Sequence, residues 1–228
     1  MENTELVHEL MCLMSGHRPW DDRATTKWNA AFIFGRAQDE WETRQHNEGV
    51  LRAAAGLYLK GVVPRIVIPG YDGNPDGHGG VIPTAYPGWK KWRNELVLLN
   101  VHIGHIKQTR GRGSNTKTEG DDFLSLAKEK ELTRALVVTQ PHQMLRAMLG
   151  LIRSMEQLGY WMSVLPVCPS QVSWRAQTYG SQGGKCIPRY SHIGEEWLRI
   201  PRYQAQDDLA TLEELQAYLY RVLIDIYD

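Results

Sequence analysis

Short apolar runs rich in β-branched and aromatic residues alternate along this chain with segments whose apolar positions recur every three or four residues. The runs predict strands over 31–34, 65–68, 103–108, 135–139 and 161–167. Between the first two, Val50, Leu51, Ala54, Leu57 and Tyr58 share one face of a helix that Gly61 is placed to stop. Further helices are predicted over 89–100, from Ser114-Asn115-Thr116 to Lys130, and over 143–158. The second of these turns Phe123, Leu124, Leu126 and Ala127 inward. The third carries Leu145, Met148, Leu149, Ile152 and Met155 on one side. Strand–helix alternation implies parallel strands joined by right-handed crossovers. The expected fold is therefore α/β: a doubly wound, mainly parallel five-stranded Rossmann-like sheet with the first strand beside the fourth. In that order Gly35 and Arg36 face the segment 140–143.

Two stretches break the rhythm. Residues 71–88 are dense in Gly and Pro and longer than most connections, and they read as a lid that orders on a ligand. Residues 168–206 show little periodicity and read as an extended excursion over the sheet edge. Beyond them Thr211 and Glu214 form a capping box for a last helix. Its stripe runs through Leu212, Leu215, Tyr218, Leu219, Val222, Leu223 and Ile226. The expected organisation is an α/β domain over 1–170, with the excursion and helix of 171–228 packed on it. Use of the stripe as a homodimer contact is the alternative.

At 228 residues and 42% hydrophobic, the chain can bury a sizeable core. The 26 Lys plus Arg balance the 26 Asp plus Glu, so bulk charge carries no nucleic-acid signal. Cys12, Cys168 and Cys186, without a CxxC spacing, fit reduced thiols in a cytoplasm better than a disulfide framework. The acidic first residues lack a signal-peptide pattern, and the apolar run at 96–99 is too short for a membrane segment. A cytoplasmic protein is expected.

Candidate chemistry collects where the strands end. In doubly wound sheets ligands bind outside the carboxyl ends, at the point where strand order reverses. Ser114, Asn115 and Thr116 open a helix whose first N–H groups suit an anion. The plain alternative is capping, with Thr116 and Glu119 as a capping box. Thr139-Gln140-Pro141-His142-Gln143 forms a second junction. A helix N-terminus disfavours a cationic His142 and so suits it to act as base or hydrogen-bond donor, or His142 is simply a surface residue after Pro141. Arg146, one turn on, carries the bidentate fork that suits phosphate or carboxylate, or it pairs with Glu119 or Asp122. As an anion ligand, its loss would weaken binding more than the fold. Gly35, Arg36 and Gln38, with Asp39 and Glu40, line a third junction, and Gly70 closes the second strand. His102 and His105, and Asp72, Asp76 and His78, lack the further ligands a metal centre needs, so no metal is expected. No Gly-x-Ser-x-Gly elbow, Gly-x-Gly-x-x-Gly fingerprint or Walker loop is present.

Four short motifs, in order, resemble the SanA/ElyC/YdcF-like family, a domain of unknown function with a Rossmann-like fold. They are Ala53-x-x-x-Leu57-Tyr58-Leu59-Lys60-Gly61, the strand closed by Pro69-Gly70, Ser114-Asn115-Thr116, and Thr139-Gln140-Pro141 followed by Arg146-Ala147. The resemblance covers about residues 30–167. It implies a small-molecule or nucleotide-like ligand at the strand ends. Where the family carries His three residues before the Arg-Ala pair, this chain has Gln143, with His142 one residue earlier. Combined with the strand-end reading, the expected ligand-binding set is Gly35, Arg36, Gln38, Gly70, Ser114, Asn115, Thr116, Thr139, Gln140, Gln143 and Arg146. His142 and Glu119 are the candidates for proton transfer. The expected partner is an anionic small molecule, phosphorylated or nucleotide-like, acted on by a hydrolase or transferase; no cofactor is identified. A non-catalytic regulatory or interaction module is the alternative.

Overall fold

Five strands whose residues are nearly all apolar can be stable only if both faces of their sheet are covered. In the computed structural model they are. It describes residues 28–35, 49–72, 86–111, 115–169, 173–179 and 186–227, with Leu6, Leu10 and Met14 besides. The strands are β1 (Ala30–Ile33), β2 (Ile66–Ile68), β3 (Ile106–Gln108), β4 (Arg134–Val138) and β5 (Ser163–Val167). All pair in parallel, in the order β3-β2-β1-β4-β5. The strand order reverses between β1 and β4, where Ile33 lies opposite Val138. All four residues of β1 are fully buried.

The helices follow the amphipathic patterns that predict them: α1 (Val50–Leu59), α2 (Trp89–Leu98), α3 (Thr116–Glu129) and α4 (Pro141–Leu158). Helix α1 packs on α2, and α3 packs on α4, one pair to each face of the sheet. The crossover from β3 to β4 thus brings the start of α3 beside the start of α4. Phe32 of β1 stacks on Phe123 of α3, with ring centroids 4.3 Å apart.

Two boundaries differ from expectation. The segment predicted as one strand over 103–108 begins with a 3-10 turn, Ile103–His105, and only Ile106–Gln108 joins the sheet. Helix α4 starts at Pro141 rather than Gln143, because proline's fixed φ and missing N–H suit the first helical position.

The larger correction concerns residues 168–206. They are not a featureless excursion. Gln177–Tyr179 (β6) and Cys186–Pro188 (β7) form an antiparallel pair, and His192–Gln204 forms a helix, α5, that packs on α4. The side chains α5 buries are His192, Glu196 and Ile200, two of them polar, so its helical spacing does not register as a hydrophobic stripe.

The last helix, α6 (Leu212–Tyr227), is as predicted. Thr211 Oγ1 accepts from Glu214 N at 3.1 Å, and Glu214 Oε2 accepts from Thr211 N at 2.6 Å. Its stripe packs on α4 and β5, and Leu215 and Leu219 are fully buried. The Tyr218 hydroxyl fastens it to the sheet, accepting from Val164 N and donating to Met162 O, both at 2.7 Å. Burial raises that hydroxyl's pKa and keeps it a donor. Tyr218→Phe leaves both backbone groups buried without their partner and is expected to cost about 1–3 kcal/mol, read by urea unfolding. A loss near zero would mean that the hydroxyl is not what holds α6 to β5.

Candidate functional site

Glu119 is the residue on which three strand ends converge. It sits in the first turn of α3, is 3% exposed, and points toward the end of β1. Gly35 N donates to its Oε2 and the Tyr71 hydroxyl donates to its Oε1, each at 2.8 Å. A Cβ at position 35 would lie 2.6 Å from Oε1, so a larger residue there would displace the Glu119 carboxylate from this position. Tyr71 follows β2, so a single carboxylate joins segments after β1 and β2 to the helix after β3. Tyr86 packs on Tyr71, with centroids 4.6 Å apart, and donates to Pro69 O at 2.7 Å. Burial first, and then the Glu119 charge, raise the Tyr86 pKa and hold it in its donor form.

This placement corrects the capping assignment. Asn115, not Thr116, caps α3. Its side chain accepts from Thr118 N at 3.0 Å, and Thr118 Oγ1 accepts from Asn115 N at 3.3 Å. Thr116 is the buried first helical residue, and Glu119 is released from capping to serve β1 and Tyr71.

Across the strand-order reversal lies the start of α4. Phe34 N donates to Val138 O at 3.2 Å, which sets Gly35 alongside Thr139 and Gln140. Those two residues are fully buried, and His142 and Gln143 follow in the first turn at 5% and 0% exposure. Both polar atoms of the Gln143 amide are buried and have no hydrogen-bond partner among the described residues. The His142 ring lies 5.3 Å from that of His192, which opens α5. His192 in turn contacts Thr178 O through Nε2 at 2.9 Å and Glu195 through Nδ1 at 3.1 Å. Arg146 meets Glu196, also on α5. Its Nε forms a short ion pair with Oε2, and its Nη2 lies 3.5 Å from Oε1. Arg199 Nη1 donates to the same Oε1 at 2.7 Å. The tail therefore walls the site, supplying groups that strand–helix reasoning did not assign to it.

Of the predicted set, Gly35 and Glu119 are in direct contact, and Thr139, Gln140, His142, Gln143 and Arg146 form one neighbouring cluster. Gly70 stands apart from that cluster, with its N–H donating to Thr109 Oγ1 at 3.0 Å. Asn115 is spent on the cap. Arg36, Gln38, Asp39, Glu40, Ser114, Asp76 and His78 lie outside the described residues, as do 73–85 of the expected lid. His102 Nδ1 accepts from Gly104 N, and His105 Nδ1 meets the Tyr58 hydroxyl at 2.7 Å. Among the described residues no group of three or more His, Cys, Asp or Glu is placed to hold a metal ion, and no helix is long and apolar enough to cross a membrane. Thr109, His192 and Glu196 were not singled out from the sequence as site residues, and Tyr71 was expected only as apolar cover in the lid. None belongs to a motif, and only the fold brings them to this edge.

Fold and site together define a doubly wound α/β protein with a polar, largely buried cluster at its strand-order reversal. No protein-family model, curated protein or solved structure matches the chain.

Proposed function

We propose that the chain binds an anionic small molecule, phosphorylated or nucleotide-like, at the carboxyl ends of β1 and β4, and acts on it as a hydrolase or transferase of the SanA/ElyC/YdcF-like type. The observation that carries the binding site is the Gln143 amide. A buried amide without a partner costs about 1–3 kcal/mol. It sits in the first turn of α4, where backbone N–H groups and the helix dipole favour negative charge. A ligand that completes that amide recovers the cost. Glu119, a buried carboxylate already aimed at the end of β1, is the proton acceptor in this reading. His142, in the same helical turn as Gln143, is the second proton-transfer group.

The bland reading is that Gln143 is satisfied by a buried water and that Glu119 only staples three segments together. One substitution separates the two. Gln143→Met removes the orphan amide at similar volume. If the amide serves a ligand, the variant is more stable than ligand-free wild type by about 1–3 kcal/mol in urea unfolding, yet no longer retains the anionic ligand that native mass spectrometry finds on gently purified protein. A variant that melts lower and retains the same ligand assigns Gln143 to the fold. Wild-type protein that retains no anion and takes up none of a panel of nucleotides and sugar phosphates overturns the proposal.

A further inference from the structure

Away from the strand-end site, a groove of about 350 Å³ follows the outer edge of β3. Its floor is apolar, formed by Val67, Ile106 and Leu126. Its walls carry Arg65, Arg93, Lys107, Arg110 and Lys130, with no carboxylate in the lining among the described residues. Glu129 beside it takes Arg110 at 3.2 Å and Lys130 at 3.0 Å. Arg65, Arg93 and Lys107 have no anionic partner among the described residues. The Arg93 Nε is buried without an acceptor, and its guanidinium lies 4.9 Å from the centre of the Trp89 ring.

The cations flank both faces of the sheet edge. Lys107 is in register with Val67, and Val67 with Phe32, which stacks on α3. Side-chain alternation therefore puts Arg65 and Lys107 on the α3 face. Arg93 belongs to α2, on the opposite face. Among the described residues nothing pairs with the backbone between them. Thr109 N donates inward to Ile68 O, so the alternation of the parallel ladder turns the N–H and C=O of Gln108 outward. No strand lies beyond β3 among the described residues.

We propose that this edge takes up an extended acidic segment of a partner protein as an added strand. Main-chain bonds to β3 supply affinity. Asp or Glu side chains at neighbouring positions of the incoming strand point to opposite faces, and so reach Arg65 and Lys107 on one face and Arg93 on the other. A lysine on an edge strand commonly serves to keep other strands away, and Lys107 alone fits that role. Edge protection does not call for a buried Arg93 Nε without an acceptor, nor for a lining cleared of carboxylates on both faces.

The test uses the full chain and a fluorescein-labelled Glu-Val peptide of Glu-Glu-Val repeats, which carries Glu on both faces of a strand, followed by fluorescence anisotropy. The Glu-Val peptide binds, more weakly as salt rises, and slows hydrogen exchange at 106–108. A Lys-Val peptide does not bind, and N-methylation at alternate peptide bonds weakens the Glu-Val peptide. Charge reversal by Arg65→Glu with Lys107→Glu weakens it roughly tenfold or more. Lys107→Glu alone, at an exposed position, gives a smaller loss and keeps the test intact if the double variant misfolds. No binding of the Glu-Val peptide, equal binding of the Lys-Val peptide, or indifference to N-methylation overturns the proposal. So does concentration-dependent self-association that protects 106–108 without peptide.

Discussion

Glu196→Ala is expected to destabilise the protein by about 3–5 kcal/mol, lowering the melting temperature by on the order of 10 °C. The Arg146 and Glu196 side chains are 9% and 6% exposed, so the pair is out of solvent. Removing the carboxylate takes away the Glu196 counter-charge of the buried Arg146 guanidinium, and the cost of keeping that charge out of solvent, rather than the lost attraction, dominates. Arg199 loses one of its carboxylates but keeps Glu195 at 3.7 Å, and it is more exposed and contributes less. Arg146→Ala leaves Glu196 still paired with Arg199 and should be somewhat milder for that reason. Read from the sequence, Arg146 looked like an anion ligand whose loss would spare the fold. With Glu196 in place, the expected order reverses, and stability falls first. The paired replacement Arg146→Met with Glu196→Leu should recover most of the loss, because two apolar side chains of similar volume need no counter-charge. Urea unfolding of wild type, Arg146→Met, Glu196→Leu and the double variant gives the coupling. If each single variant loses less than about 1 kcal/mol, α5 is not held to α4 by this pair. Hydrogen exchange over 192–204 then reports whether α5 separates by itself while the sheet stays closed.

The same helix shows where sequence reading stops. The alternation that predicts β1 to β5 and α1 to α4 is visible because each element buries an apolar face, such as Ala30–Ile33 in β1 or Met148, Leu149, Ile152 and Met155 in α4. The adjacency of β1 and β4 is the usual strand order of a doubly wound sheet, and it is the order the structure has. Helix α5 buries charge and imidazole instead, and Pro201 interrupts whatever pattern remains. Its register against α4 is set by ion pairing, which leaves no periodic apolar trace. Glu119 was legible as a candidate catalytic residue but not in its contacts. Its spacing from Thr116 suggested a capping box, whereas its partners Gly35 and Tyr71 lie 84 and 48 residues away. The Gln143 orphan amide was legible only as a polar residue at a helix start. That it has no partner is a property of the packed structure.

The second large effect is expected at Gly70, and it is best measured against Gly56. At Gly70 the ends of β2 and β3 approach so closely that a Cβ would lie 1.7 Å from the carbonyl oxygen of Thr109. That oxygen cannot swing aside as a flexible side chain would. Thr109 is fixed by its own N–H on Ile68 O at 3.0 Å and by its Oγ1 on Gly70 N at 3.0 Å. Gly70→Ala must therefore spread the two strand ends and break at least one of these bonds, a cost of about 3 kcal/mol or more. The disturbance passes to Tyr71, the next residue, and pulls its hydroxyl from Glu119, so the strand-end site should loosen along with the fold. Gly56 stands mid-helix in α1 with nothing within 4 Å of an added Cβ. There the same chemical change removes only glycine's excess backbone entropy, and Gly56→Ala is expected to stabilise by about 0.5–1 kcal/mol. Two Gly→Ala substitutions with opposite signs, read in one set of urea titrations, test the close approach of β2 to β3 directly. Equal effects, or a Gly70→Ala variant as stable as wild type, would mean that the strand ends stand farther apart than the Thr109–Ile68 and Thr109–Gly70 bonds require.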